Sequence, residues 1–113
     1  MITSWLLAFA LTQVIEAPIY TVGIHRSTQR RWTTALAIAL GASAITHPFV
    51  WFVFPNLIDA PIPRIAISEV FAWSVELAWL AAFRVPRPWL WSSLANGASF
   101  GTGVVLSLTL GWP

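Results

Sequence analysis

Cysteine is absent from the chain, which excludes disulfides, thiolate metal sites, cysteine nucleophiles and iron–sulfur clusters. Lysine is missing too, so the basic residues apart from histidine are six arginines. Charge of either sign is scarce: 9% of the 113 residues are charged and 58% are hydrophobic, too few charges to give a soluble globule of this size a solvated surface. There is no Walker loop, no dinucleotide-binding glycine fingerprint, no His-x-x-x-His pair and no serine in a nucleophile elbow, so the common nucleotide, zinc-protease and triad chemistries find no support. The arginines form no basic stripe, and no nucleic-acid partner is expected. Low-complexity segments and internal repeats are absent as well.

What the chain has in abundance is apolar length. Four stretches, 2–22, 33–54, 65–83 and 90–111, are each long enough to cross a hydrocarbon core of about 30 Å, which takes about 20 helical residues. They are rich in Ala and Leu and twice as long as barrel strands, which selects helices over a membrane β-barrel. The expected fold is therefore an all-α integral membrane protein, a single domain over 1–113, with four transmembrane helices in an antiparallel up-down bundle joined by short loops. The first stretch reads as a retained helix rather than a secretory signal, since Met1–Ser4 carries no Arg or Lys and no small-x-small cleavage site precedes a polar region.

Arg26, Arg30 and Arg31 lie between the first two stretches and Arg84 and Arg87 between the last two. The positive-inside rule then puts the Arg-bearing loops 23–32 and 84–89 in the cytoplasm and both termini outside. Trp5, Trp51 and Trp112 fall near the outer interface and Trp32, Trp89 and Trp91 near the inner one, as aromatic belts require. Prolines 55, 61, 63, 86 and 88 punctuate the loops, and Pro18 and Pro48 fall inside helices, where each removes a backbone donor and should kink its helix. In the last stretch Gly97 and Gly101, with Gly103 four residues after Ser99, have the spacing that lets helix backbones approach closely. Packing within the bundle, a homo-oligomer contact and a ligand contact all suit that pattern.

Glu16, His47, Glu69 and Glu76 lie inside predicted spans, where a charge costs about 2.5–3.5 kcal/mol even on the lower scales. They belong to polar stripes at helical spacing: Thr12, Glu16 and Tyr20 with Gln13 beside them, then Ser43 and His47, then Glu69, Trp73 and Glu76, then Ser92, Asn96, Ser99 and Gly103. Counting depth at about 1.5 Å per residue separates two layers. His47 and Glu69 form an outer one, suited to an ion pair, a proton-transfer pair or part of a metal site. Glu16, Glu76 and Asn96, with Gln13 and Ser99 close by, form an inner one in which two carboxylates cannot easily both ionise without a shared proton or cation. Plainer readings stand beside these: a structural histidine, a Glu69 reaching interfacial water, a Glu16 snorkelling to the headgroups, an Asn96 acting as interhelical glue, and a solvated His25.

The cofactor expectation is open: a divalent cation on His47 and Glu69, or a macrocycle ligated by His47, which has small Ser43 one turn before it and Trp51 one turn after. The leading function is a non-enzymatic membrane subunit whose Glu/His/Asn cluster binds a proton, cation or partner group. The alternatives are a metal- or cofactor-binding protein or enzyme centred on His47, and a small proton or cation channel or transporter acting as a homo-oligomer. Its partners are expected to be the lipid bilayer and either further copies or a larger membrane complex. Glu16-Ala-Pro18, Thr46-His47-Pro48 and Glu69 with Glu76 give a general impression of small bacterial multi-span proteins but match no named family; a bacterial inner membrane is the expected location.

Overall fold

The computed structural model describes residues 2–111 and is helical throughout, with no strand among the described residues. Trp112 lies outside them. Helix α1 is Ile2–Thr28, α2 is Trp32–Leu57, α3 is Pro61–Ala82 and α4 is Pro88–Leu110. The first three are long and apolar enough to cross a membrane. The fourth has 23 residues and is not among those three; Asn96, its glycines and its hydroxyl side chains interrupt its apolar run.

Several boundaries differ from those read in the sequence, for local reasons. Helix α1 runs past Val22 because Ser27 and Thr28 return their hydroxyls to the carbonyls of Gly23 and Ile24, both at 2.6 Å. His25 is thereby helical instead of solvated in a loop. Its Nδ1–H donates to the Arg30 carbonyl at 2.7 Å, and its ring stacks on Trp32 with centroids 3.7 Å apart, which fixes the turn into α2. Pro61 opens α3 rather than breaking the chain, since a first-turn residue has no intrahelical use for an N–H. The chain continues helically through Pro18. At Pro48 the regular α-helix stops and a π-helical turn, Phe49–Val53, follows, because proline has no N–H to offer the carbonyl four residues back.

The helices form a ring in which α1 and α3 each pack on both α2 and α4. The body is 42 Å long and 25 by 21 Å across. Arg30 donates through Nη2 to the Phe83 carbonyl at 2.5 Å, so the loops 29–31 and 83–87 meet at one end, the arginine end. Three non-glycine residues with positive φ, Gln29, Arg84 and Arg87, belong to these loops. That conformation is disfavoured for side-chain-bearing residues, and here it makes the connections tight. Trp5, His47, Trp51 and Phe52 gather at the opposite end.

The apolar core lies toward the arginine end: Tyr20 and Ile24 of α1, Ala35, Ile38, Ala39 and Ala42 of α2, Leu80 of α3, Val85, and Ala95 of α4. The close approaches are made by two glycines facing tryptophans. A Cβ on Gly23 would sit 2.5 Å from Trp91 Cδ2, and one on Gly41 would sit 2.6 Å from Trp79 Cζ2. The indole N–H of Trp79 crosses to the Ile38 carbonyl at 2.9 Å. Gly97, Gly101 and Gly103 were expected to mediate helix packing, but a Cβ on any of them would meet nothing within 4 Å. Gly97 and Gly101 are exposed and Gly103 is half-buried, and no close helix contact inside this bundle rests on them.

Candidate functional site

Two carboxyl groups sit at the centre of the ring. Glu16 and Glu76 are 2% and 1% exposed, and each is held by side chains from other helices. Ser43 donates to Glu16 Oε1 at 2.6 Å, and Ser99 donates to Glu16 Oε2. Glu76 Oε1 accepts from the Tyr20 hydroxyl at 2.5 Å and from Asn96 Nδ2 at 3.2 Å, while its Oε2 accepts from Thr46 at 2.9 Å. The single carboxyl of Glu76, on α3, therefore binds to α1, α2 and α4. The two carboxyl groups are close enough to interact electrostatically.

The supporting contacts fix the donors. Asn96 Nδ2 is shared among Glu76, the Ser92 carbonyl at 3.0 Å and the Ser92 hydroxyl at 3.3 Å. Ser92 in turn donates to the Trp73 carbonyl at 2.9 Å. Tyr20, fully buried, brings an apolar ring for the core and a phenol for the carboxylate, a combination suited to a position between a dry and a polar region. Thr46 faces the site from α2, two residues before Pro48. The N–H of Phe49 takes the Thr46 carbonyl, leaving the threonine hydroxyl to point across the bundle.

The structure gathers Glu16, Glu76, Asn96 and Ser99 as one cluster but separates Gln13 from it. Gln13 Nε2 donates instead to the Leu40 carbonyl at 3.1 Å and lines a shallow groove between α1 and α2 with Val14, Pro18 and Leu36. Three donors were not singled out as site residues in the sequence: Tyr20 and Ser43, seen only as members of stripes, and Thr46. A buried carboxylate needs donors, so a search for hydroxyl residues one turn from each glutamate and on the facing helices would have found them.

His47 and Glu69 are not joined by a hydrogen bond or an ion pair among the described residues. The His47 ring, 9% exposed, is enclosed by Trp5, Phe9 and Trp51 at centroid distances of 6.4, 5.1 and 6.2 Å. Its Nε2 lies 3.5 Å from the Thr12 hydroxyl, at the limit of a hydrogen bond, and its Nδ1 has no partner. Glu69 faces the opposite side of α3 from that nest, in a groove between α3 and α4 with Trp73, Ser93 and Asn96. Among the described residues no three His, Cys, Asp or Glu side chains converge as a metal set would require.

Comparisons with protein-family models, with curated proteins and with solved structures find no match. The chemistry of the site carries the functional reading.

Proposed function

We propose that the chain is an integral membrane protein whose four helices cross the bilayer as an antiparallel up-down bundle, and that it works by holding a proton on the Glu16–Glu76 pair. The observation that carries this reading is two facing carboxyl groups, both nearly inaccessible, whose hydrogen-bond partners are all neutral. Two like charges buried side by side repel strongly, because little water is there to screen them. Among the described residues, no cationic side chain bonds to either carboxyl group. A single proton between the two groups removes the repulsion and turns the pair into a hydrogen-bonded unit that binds the four helices together.

The place of α4 in one ring with the three long apolar helices supports crossing by all four, and its polar side chains are turned inward at Ser92 and Asn96. Both arginine-bearing loops meeting at one end supports the orientation with that end in the cytoplasm and both termini outside, in a bacterial inner membrane. The protein is a non-enzymatic subunit that works with further copies or within a larger membrane complex, where loss or gain of the proton changes how tightly the helices are held.

Infrared spectroscopy of the purified protein in detergent tests this. The carbonyl stretch of a protonated carboxylic acid should be present at neutral pH and should be lost or displaced in both Glu16→Gln and Glu76→Gln. A wild-type spectrum without that band, or a band unchanged in both variants, overturns the reading.

A further inference from the structure

Outside the carboxyl pair, the side of the molecule formed by α3 and α4 carries an open groove of about 570 Å³, within the range of small-molecule sites. Its walls are apolar and accessible: Ile62, Ile65, Val70 and Phe100 are 42–80% exposed. Its floor is not apolar. Glu69 lies in it, half-buried, and makes no hydrogen bond or ion pair among the described residues, while every other described glutamate in the helices has donors on both oxygens. Beside Glu69 stands Trp73, whose indole N–H is tied to the Ser93 hydroxyl at 2.9 Å. That bond holds the indole where it lines the groove. Gly97 opens the α4 side, since no side chain projects there.

An acidic acceptor without a partner, an aromatic ring next to it and apolar walls on either side define the complement of one kind of ligand. We propose that this groove binds an amphiphilic organic amine that partitions into the bilayer, with its ammonium group against the Glu69 carboxylate and the Trp73 ring, and its apolar body along Ile62, Ile65, Val70 and Phe100. Charge complementarity selects the amine over a neutral lipid tail, which would leave the carboxyl group unpaired in apolar surroundings. It also selects the amine over a second copy of the chain packed on Gly97 and Gly101, because a symmetric contact through this face would bring two Glu69 side chains toward each other without a cation.

The test uses the full chain in phosphatidylcholine nanodiscs, which present no free amine and no net lipid charge, and a dansyl-alkylamine with a free primary amine as the probe. Saturable binding is expected, weakened about tenfold, or about 1.4 kcal/mol, by Glu69→Gln and retained by Glu69→Asp. A dansyl-alkyl alcohol of the same length should bind about tenfold more weakly than the amine. Gly97→Leu, which fills the groove from the α4 side, should reduce amine binding without changing the unfolding midpoint. Equal binding by Glu69→Gln, equal binding of the alcohol, or no saturable binding overturns the proposal. So does a dimer that Gly97→Leu converts to monomer while neither form binds the amine, which would make a second copy the occupant. Amine binding reports on the groove and the infrared bands report on Glu16 and Glu76, so failure of either reading is seen on its own.

Discussion

The two halves of the molecule are built on different terms. From the carboxyl pair to the arginine end, every helix contributes fully buried residues, glycines meet tryptophans, and the Arg30–Phe83 contact closes the loops. Toward the His47 end, α1 before Glu16 and α4 after Asn96 bury no residue fully among the described residues. There α2 changes to a π-helical turn, His47 keeps an unpaired nitrogen, and Glu69 looks into an open groove. The first half holds the fold, and the second presents surface. In a membrane, where lipid tails are as apolar as the side chains, such a division follows from where polar contacts and small residues permit close packing.

The largest effect that would break this comparison is expected at Glu76. Replacement by Leu leaves Tyr20 as a buried donor without an acceptor and takes one acceptor each from Thr46 and Asn96, which keep the Ser43 and Ser92 carbonyls. It also leaves Ser92 and Asn96 beside an apolar side chain, where each unsatisfied buried group costs about 1–3 kcal/mol. A loss of about 3 kcal/mol or more should appear as a lower midpoint in unfolding by a denaturing detergent followed by circular dichroism, and an unchanged midpoint would remove the pair from the centre of the fold. Next comes Gly23→Leu, which drives a side chain into Trp91 and should cost about 1–3 kcal/mol by overpacking in the same titration. Tyr20→Phe keeps the ring and removes one donor to Glu76, so its cost should be near the average of about 0.6 kcal/mol for interhelical hydrogen bonds in membranes. The smallest effects belong to the open half: Gly101→Ala and Glu69→Gln should each stay within about 0.5 kcal/mol. A large loss from either would show that the groove side is packed in the native protein, and the contrast between the halves would then have to be redrawn.

The division was partly legible in the sequence. Apolar length and arginine placement gave the helices and the two ends, and the polar stripes brought Glu16, Glu76, Asn96 and Ser99 together. Where the reading failed, it failed around the helix axis and not along it. A depth count places His47 and Glu69 at the same height, but one residue turns a helix by about 100°, so Thr46 faces Glu76 while His47 faces Thr12 and the aromatic nest. The same rotation separates Gln13, on the α2 backbone at Leu40, from Thr12. Glycine spacing misled for another reason. The Gly97–Gly101 pattern records what a helix face allows, whereas the contacts that exist, Gly23 with Trp91 and Gly41 with Trp79, join residues on different helices and leave no signature in local spacing.

The hydrogen bond from Ser43 to Glu16 also bears on how the chain is made. In the membrane insertion proposed above, translation delivers α1 and α2 before the rest, and the most exposed difficulty of that moment is a glutamate in lipid with its later partner, Glu76, not yet synthesised. Ser43 belongs to the same helical hairpin, so Glu16 finds an acceptable partner as soon as α2 enters, with Ser99 completing the arrangement once α4 arrives. Glu76, by contrast, enters a membrane in which Tyr20 and Thr46 already stand in place. The order of synthesis is thus also an order of solvation, with each acid received by a hydroxyl that precedes it or closely follows it.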